Sequence, residues 1–510
     1  MVFYISIAII LLFVIWGVAY PEVLASTANE AFNFTIEKFG WFYLIATLGF
    51  LIFSLYLAFS RYGKIRLGSN DDEPEYSNLS WFAMLFSAGM GIGLVFWGVA
   101  EPLSHYLTPP EGATGGTPRS AQLAMRYSFF HWGLHPWAIY TIISLALAYF
   151  KFRKGYKGLI SWTFTPLLGD KVNGPIGKII DILAIIATVF GVATSLGLGT
   201  LQINGGLNIL TGTPNTIWVQ LIIIAIVTVL YMISATTGLD KGIKILSNFN
   251  IILALALLLF VLFAGPTSFI FDTFTVTLGG YLQDLVEMSL RLTPFTQGDW
   301  VGSWTLFYWA WWIAWAPFVG TFIARVSKGR TIREFILGVL LIPSAFSFVW
   351  FSVFGGTALK FEIFDKFKLA AAAQEDVTSA LFVTLNHLPL GLIIMGLATL
   401  LIITFFITSA DSATFVLGMF SSNGDLNPST RVKIIWGILQ SAIAIVLLFS
   451  GGLQGLQKAS IVAALPFAII MVFMCFSLLK SLKTEIKEEQ KKERERLKII
   501  DLILSKKGQY

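Results

Sequence analysis

Three features of the chain predict an all-α membrane protein with twelve transmembrane helices. They are twelve apolar runs of about 20 residues each, a strong bias of basic residues toward alternate loops, and a composition too apolar for a globule in water. Of the 510 residues 56% are hydrophobic and 13% are charged, with a mean hydropathy of +0.76. Soluble domains carry about 25% charged residues. The net charge of +6 marks one membrane face rather than a nucleic-acid surface. Cys475, the single cysteine, lies in an apolar run, so no disulfide framework or cysteine metal site is expected.

The runs fall near residues 3–20, 40–60, 80–100, 127–150, 178–200, 215–234, 248–265, 301–324, 334–356, 389–415, 431–450 and 458–479. The first has neither a basic leader nor a small-residue cleavage site, so it reads as a retained span. Assigning the loops to alternate sides puts 27 Lys and Arg residues on one face, tail included, and 8 on the other. By the positive-inside rule both termini are cytoplasmic. An incorrect number of spans would have scrambled that asymmetry.

Residues 271–291 mix apolar side chains with Asp272, Asp284, Glu287 and Arg291, the pattern of a helix lying in the outer interface. The Glu287/Arg291 spacing of i,i+4 adds about 0.3–0.5 kcal/mol. Residues 369–385 read as a second helical loop on that side. From residue 480 to 510 the chain is highly charged, with Glu488/Lys492 and Lys491/Glu495 at helical spacing, and reads as a cytoplasmic helical tail. A solvated extension is the simpler role for it, and sensing of anionic lipid the sharper one.

Four spans carry chemistry. The eighth contains Trp304, Trp309, Trp311, Trp312 and Trp315 with Phe307, Tyr308, Phe318 and Phe322, running through mid-span where an interfacial belt would not. Tryptophan faces attract quaternary ammonium groups at about 0.5–2 kcal/mol per contact. The fourth adds Trp132, Trp137 and Tyr140. Its His131 and His135 have the i,i+4 spacing of zinc ligands but no evident third ligand, so they read as structural. In the third, Gly89, Gly91 and Gly93 alternate. Each costs a helix about 0.5–1 kcal/mol, and glycines two apart do not share a face, so local unwinding is favoured over a packing seam. Unwound backbone at mid-membrane exposes groups that bind substrates or ions in secondary transporters. The tenth buries Thr408, Ser409, Asp411 and Ser412. Asp411 costs about 2.5–3.5 kcal/mol there unless it faces a cavity or partner. The hydroxyls suit sodium as hard oxygen ligands, or are bonded to their own helix. No nucleophile–base pair supports a membrane enzyme, and a bulky aromatic box suits occlusion rather than the conduction of a channel.

The Gly89 to Gly93 motif, HWGLHPW of the fourth span, YWAWWIAWAPFVG of the eighth, the ARVSKGRTIREF that follows it and TSADS of the tenth together resemble the betaine/carnitine/choline transporter family. The likeness extends over residues 60–478. It implies twelve spans, with a leucine-transporter-like core of two inverted five-helix repeats in helices 3 to 12. The domain organisation is then a transporter body at 1–479, its core at about 80–479, and the tail at 480–510. It also implies that Trp132, Trp137, Tyr140 and Trp312 box a trimethylammonium group, with Met90, Gly91 and Gly93 toward the carboxylate. Trp311, Trp315, Phe318 and Phe322 then flank the box as path or gate. A sodium site is implied at Ser87, Met90 and Phe405 with the Thr408 and Ser409 hydroxyls. A second would use Thr188, but Val192 stands where a sodium-coupled betaine carrier has threonine, which puts two-sodium coupling in question. Gly93 stands where proton-coupled choline carriers tend to have aspartate, which points to a zwitterion. The resemblance implies sodium-driven import of glycine betaine across a bacterial cytoplasmic membrane, as a homotrimer, with sodium as coupling ion and no other cofactor. The alternatives are sodium-independent carnitine or betaine exchange, or uptake of choline or ectoine.

Overall fold

The computed structural model describes residues 1–89, 91–237, 240–296 and 298–507, which are almost wholly helical. The long helices are α1 (Val2–Ala19), α2 (Pro21–Phe59), α3 (Asn78–Gly89), α4 (Ile92–Leu107), α5 (Pro118–Trp132), α6 (Leu134–Ala148), α7 (Pro175–Thr211) and α8 (Ile217–Thr237). They continue with α9 (Asp240–Ala264), α10 (Thr267–Gln283), α11 (Phe307–Val326), α12 (Ile332–Ile363), α13 (Gly391–Ser421) and α14 (Thr430–Lys507). Their starts follow local chemistry. Thr117 and Ser120 form a capping box before Pro118 at the head of α5, and Thr331 and Glu334 do the same for α12.

Among the described residues ten helical stretches are long and apolar enough to cross a membrane, or eleven if the bent pair α3/α4 forms one span. The difference from the expected twelve lies at Gly452. The runs 431–450 and 458–479 are joined within α14, which is broken there by φ 55° and ψ −138°, a conformation that costs glycine little. α2 is also longer than its apolar run. At 39 residues it extends about 58 Å, well beyond a hydrocarbon layer of about 30 Å, so its first half, with Glu22, Glu30, Glu37 and Lys38, continues outside that layer.

The interfacial segment forms α10 and a short helix, Leu285–Ser289. Arg126 of α5 pairs with Asp284 at their junction. The loop at 369–385 contains Leu369–Glu375 and Ala380–Asn386. The tail continues α14 as a helix, but its first turns are docked rather than solvated. Glu485 is buried, 2.6 Å from both Arg153 and Lys154 and accepting a hydrogen bond from Tyr149 at 2.6 Å. Residues 487–500 are exposed.

At one end of the bundle the connection before α3 is clasped to the α11–α12 turn. Arg66 and Thr331 form an antiparallel bridge, and the Arg66 guanidinium donates to the Gly329 carbonyl at 2.8 Å. Arg330 stacks 4.0 Å from the Trp81 ring while donating to Asn78 and to the Tyr76 carbonyl. The Trp81 indole in turn donates to Ser327 at 2.9 Å. α3 and α11, both lining the cavity described next, are thereby anchored to the same turn.

Candidate functional site

Three breaks in helical geometry build the site. Between α3 and α4, whose axes meet at 65°, Gly91 is extended (φ −167°, ψ −179°), in keeping with the unwinding expected there. α5 and α6 part at Gly133, which sets Trp132 at the end of one helix and Trp137 and Tyr140 on the next. Gly302–Leu306 forms a wide π-turn ahead of α11. Such turns, like unwound glycines, recur at functional sites. Between α3, α4, α6, α11 and α13 lies a cavity of about 480 Å³.

The aromatic end of the cavity brings together Trp132, Trp137, Tyr140 and Trp312. Trp132 meets Trp312 edge-to-face at 4.8 Å, Tyr140 lies 6.2 Å from Trp312, and Trp137 lies 5.4 Å from Tyr140. Trp311 stacks on Trp312 at 4.7 Å, and Trp315, Phe318 and Phe322 extend the lining along α11. The indole N–H groups of Trp311, Trp312 and Trp315 are each anchored by a hydrogen bond to the protein. Trp312 donates to the His131 carbonyl at 3.0 Å, Trp315 to the Gly191 carbonyl at 2.7 Å and Trp311 to Ser195 at 3.2 Å. These bonds fix the orientation of the rings in the cavity wall. Trp304 and Trp309 of the same run lie elsewhere, Trp304 against His105 at 4.4 Å and Trp309 stacked on His135 at 5.3 Å.

Gly93 lies within α4, where a Cβ would fall 2.5 Å from Trp311 and 3.2 Å from Trp132. A side chain here collides with two indoles, so the residue determines how deep the box is. At Gly91 a Cβ would meet nothing within 4 Å.

Away from the box the wall becomes polar, with Ser87, Ser234, Ser247, Asn250, Thr408, Ser409, Asp411 and Ser412. Thr408 Oγ1 donates to its own helix, 3.1 Å from the Thr404 carbonyl and 3.2 Å from that of Phe405, and accepts from Asn250 Nδ2 at 3.2 Å. Both readings of the tenth span thus coexist, a helix-bonded hydroxyl that also faces a cavity. Ser234 donates to Asp411 at 3.1 Å. The cavity continues to Arg325 and Lys433, both on the side rich in basic residues. Ser87 and Phe405 line it as well, whereas Met90 lies outside the described residues. Thr188 is not part of this wall. It is buried in α7 with its hydroxyl donated to the Ala184 carbonyl at 2.7 Å, and Val192 one turn on is buried too.

Two residues were missed in the motif reading. Asn250 is buried, and its Oδ1 has no hydrogen-bond partner while its amide holds Thr408. A polar residue in an otherwise apolar run was its only signal. Glu101, fully buried in α4, is the centre of a network. Its Oε2 accepts from the Trp132 indole at 2.9 Å and the Tyr308 hydroxyl at 2.5 Å, and its Oε1 lies 2.7 Å from His131 Nδ1 and 3.2 Å from His105 Nε2. A carboxylate inside an apolar span was the signal available for it. The two histidines of the fourth span do not act as a pair, since His135 bonds Ser289 at 2.8 Å while His131 joins Glu101 and His105.

A family model for betaine/carnitine/choline family transporters matches residues 1–487. The chain is 56% identical to the glycine betaine transporter OpuD of Bacillus subtilis, over 97% of this chain and 96% of that one. It is 49% identical to an ectoine/hydroxyectoine transporter of Virgibacillus pantothenticus, over 96% and 98%. To a glycine betaine transporter of Acinetobacter baylyi it is 44% identical, over 95% of this chain and 73% of that one.

Proposed function

The chain belongs to the betaine/carnitine/choline transporter family, and from that premise we propose that it imports glycine betaine by sodium symport. It is a membrane transporter, not an enzyme. The observation that carries the proposal is a single cavity joining four aromatic faces at one end to a cluster of hydroxyl and amide oxygens at the other. The aromatic end has the chemistry of a trimethylammonium cage. The first N–H groups of α4, beginning beyond Gly91 and facing the same cavity, suit the substrate carboxylate, since a helix N-terminus carries unpaired donors and partial positive charge. Ser87, Thr408 and Ser409, with the Phe405 carbonyl and Met90, form the ion site in this reading. Thr188 is left out because it does not line this cavity, and one sodium per cycle follows from this site alone.

Alternating access would run around this cavity. In the conformation described the cavity extends toward Arg325 and Lys433, on the cytoplasmic side by the charge rule, while Glu101, Tyr308 and Trp309 are buried beyond the box. This corresponds to an inward-facing state. The break at Gly452 supports a twelve-span body with two inverted five-helix repeats, a charged cytoplasmic tail and both termini inside, which we adopt together with a homotrimeric assembly in the bacterial cell membrane. Sodium binding between α3 and α13 would order the box, and by linkage betaine would tighten sodium by the same factor.

The test is uptake of radiolabelled glycine betaine into proteoliposomes, with an inward sodium gradient against potassium alone. Uptake that requires sodium is expected. Equal uptake in both, accelerated by substrate preloaded inside, would indicate an exchanger and retire the ion site. The similarity to an ectoine/hydroxyectoine transporter supports a second reading, in which the box accepts the delocalised cation of ectoine, and competition by unlabelled ectoine measures it.

A further inference from the structure

The Glu101 network is sealed from the cavity, yet it holds the box. The Trp132 indole is bonded directly to Glu101, and Trp312 is bonded to the main chain of His131, whose ring lies on the same carboxylate. The protons can be assigned from the partners. His131 Nε2 lies 3.0 Å from the Thr305 hydroxyl, which can donate to it, so a neutral ring with its proton on Nδ1 satisfies both nitrogens. His105 Nδ1 is buried without a partner, so a proton there would be an unsatisfied buried donor, and the neutral ring with its proton on Nε2 is favoured. With both rings neutral, Glu101 accepts four hydrogen bonds, the full complement of an ionised carboxylate. The cluster then carries one negative charge, and no lysine or arginine is bonded to it among the described residues.

A buried charge without a counter-ion is costly, and one indole away lies the site for a cationic headgroup. We propose that Glu101 is a specificity-determining residue. Its carboxylate, acting through the Trp132 indole N–H, sets the preference of the box for a cationic headgroup over a neutral one of the same shape. Two effects act in the same direction. The carboxylate draws on the indole N–H and enriches the ring face turned to the cavity, and its own field extends across the ring into a site of low dielectric. Together they are sufficient for about a tenfold preference. The proposal rests on the betaine reading of the cavity.

Glu101→Gln deletes the charge and keeps the shape, at the cost of a proton on the buried, unpartnered His105 Nδ1. The amide oxygen can still accept from Trp132 and Tyr308, while its NH2 faces two imidazoles that change tautomer to accept. The probes are glycine betaine and 3,3-dimethylbutanoate, in which carbon replaces the quaternary nitrogen, each measured as a competitor of labelled betaine in the reconstituted protein. We expect Glu101→Gln to lose about tenfold in betaine affinity and to lose less than twofold, or gain, for the isostere, which shares the carboxylate but has an uncharged headgroup, so that the ratio between them falls by about tenfold or more. Equal losses for both ligands would make Glu101 a scaffold residue and overturn the proposal, as would an unchanged betaine affinity. If the Gln variant does not reach the membrane, Glu101→Asp decides. It keeps the charge, so the ratio must stay within about threefold of wild type even where transport slows, and a collapsed ratio overturns the proposal. Wild-type protein that carries no betaine would overturn the functional reading and this proposal together, whereas betaine transport with an unaltered ratio in Glu101→Gln overturns this proposal alone.

Discussion

Trp312→Leu and Trp304→Leu remove the same side chain from the same run of sequence at two different structural places. Trp312 lines the cavity, packs on Trp132 at 4.8 Å and Trp311 at 4.7 Å, and is held by the His131 carbonyl. Losing its face removes one cation–π contact of about 0.5–2 kcal/mol, which corresponds to about a 2- to 30-fold rise in the KM for betaine. Trp304 packs on His105 at 4.4 Å and Trp97 at 5.3 Å and is absent from the cavity wall, so its replacement by leucine costs packing without touching substrate. Trp304→Leu should therefore lower thermal stability while leaving the KM of the folded fraction within about twofold of wild type. The assay is initial-rate betaine uptake in proteoliposomes, normalised to folded protein by size-exclusion fluorescence. Equal rises in KM for the two variants would refute the assignment of the box.

Gly93→Ala should impair uptake far more than Gly91→Ala, because its Cβ would press within 2.5 Å of Trp311 whereas that of Gly91 meets open space; comparable activities would show that the indoles yield freely. Thr408→Ala with Ser409→Ala should raise the sodium concentration for half-maximal uptake by about a hundredfold or more, each lost oxygen ligand counting as a charge-assisted contact of about 1.5–3 kcal/mol, and an unchanged requirement would place the ion elsewhere. Arg330→Lys should lower the apparent Tm by several degrees, since a lysine cannot both stack on Trp81 and make the paired planar bonds to Asn78 and the Tyr76 carbonyl; an unaltered melting curve would mean that the clasp contributes no stability.

The residues most open to sequence reasoning were those whose chemistry conflicts with a lipid-facing span. Tryptophans at mid-helix, alternating glycines and hydroxyls beside Asp411 each cost something in a plain transmembrane helix, and three of the five tryptophans, Gly91, Gly93 and the hydroxyls line the cavity. Most of the spans were legible because apolar length is a local property that a bilayer reads directly. Proximity across the chain was not. Glu101 lies 30 residues from His131 and 207 from Tyr308, and nothing along the sequence pairs them. His131 and His135, read as structural despite their zinc-like spacing, bond to different partners, because side chains one turn apart can still reach different segments of the chain.

The composition, the apolar runs and the placement of basic residues were enough to make this chain a helical membrane protein, since each follows from transferring individual residues between water and lipid, and the mid-span aromatic motif with its family resemblance pointed to transport. Only packing decided which three of the five tryptophans of the 304–315 run face the cavity, that Thr188 faces away, and that one buried carboxylate holds the box from behind. Those outcomes depend on hydrogen bonds and ring contacts between helices far apart in sequence, whose directions are defined once the helices have been broken, bent and brought together.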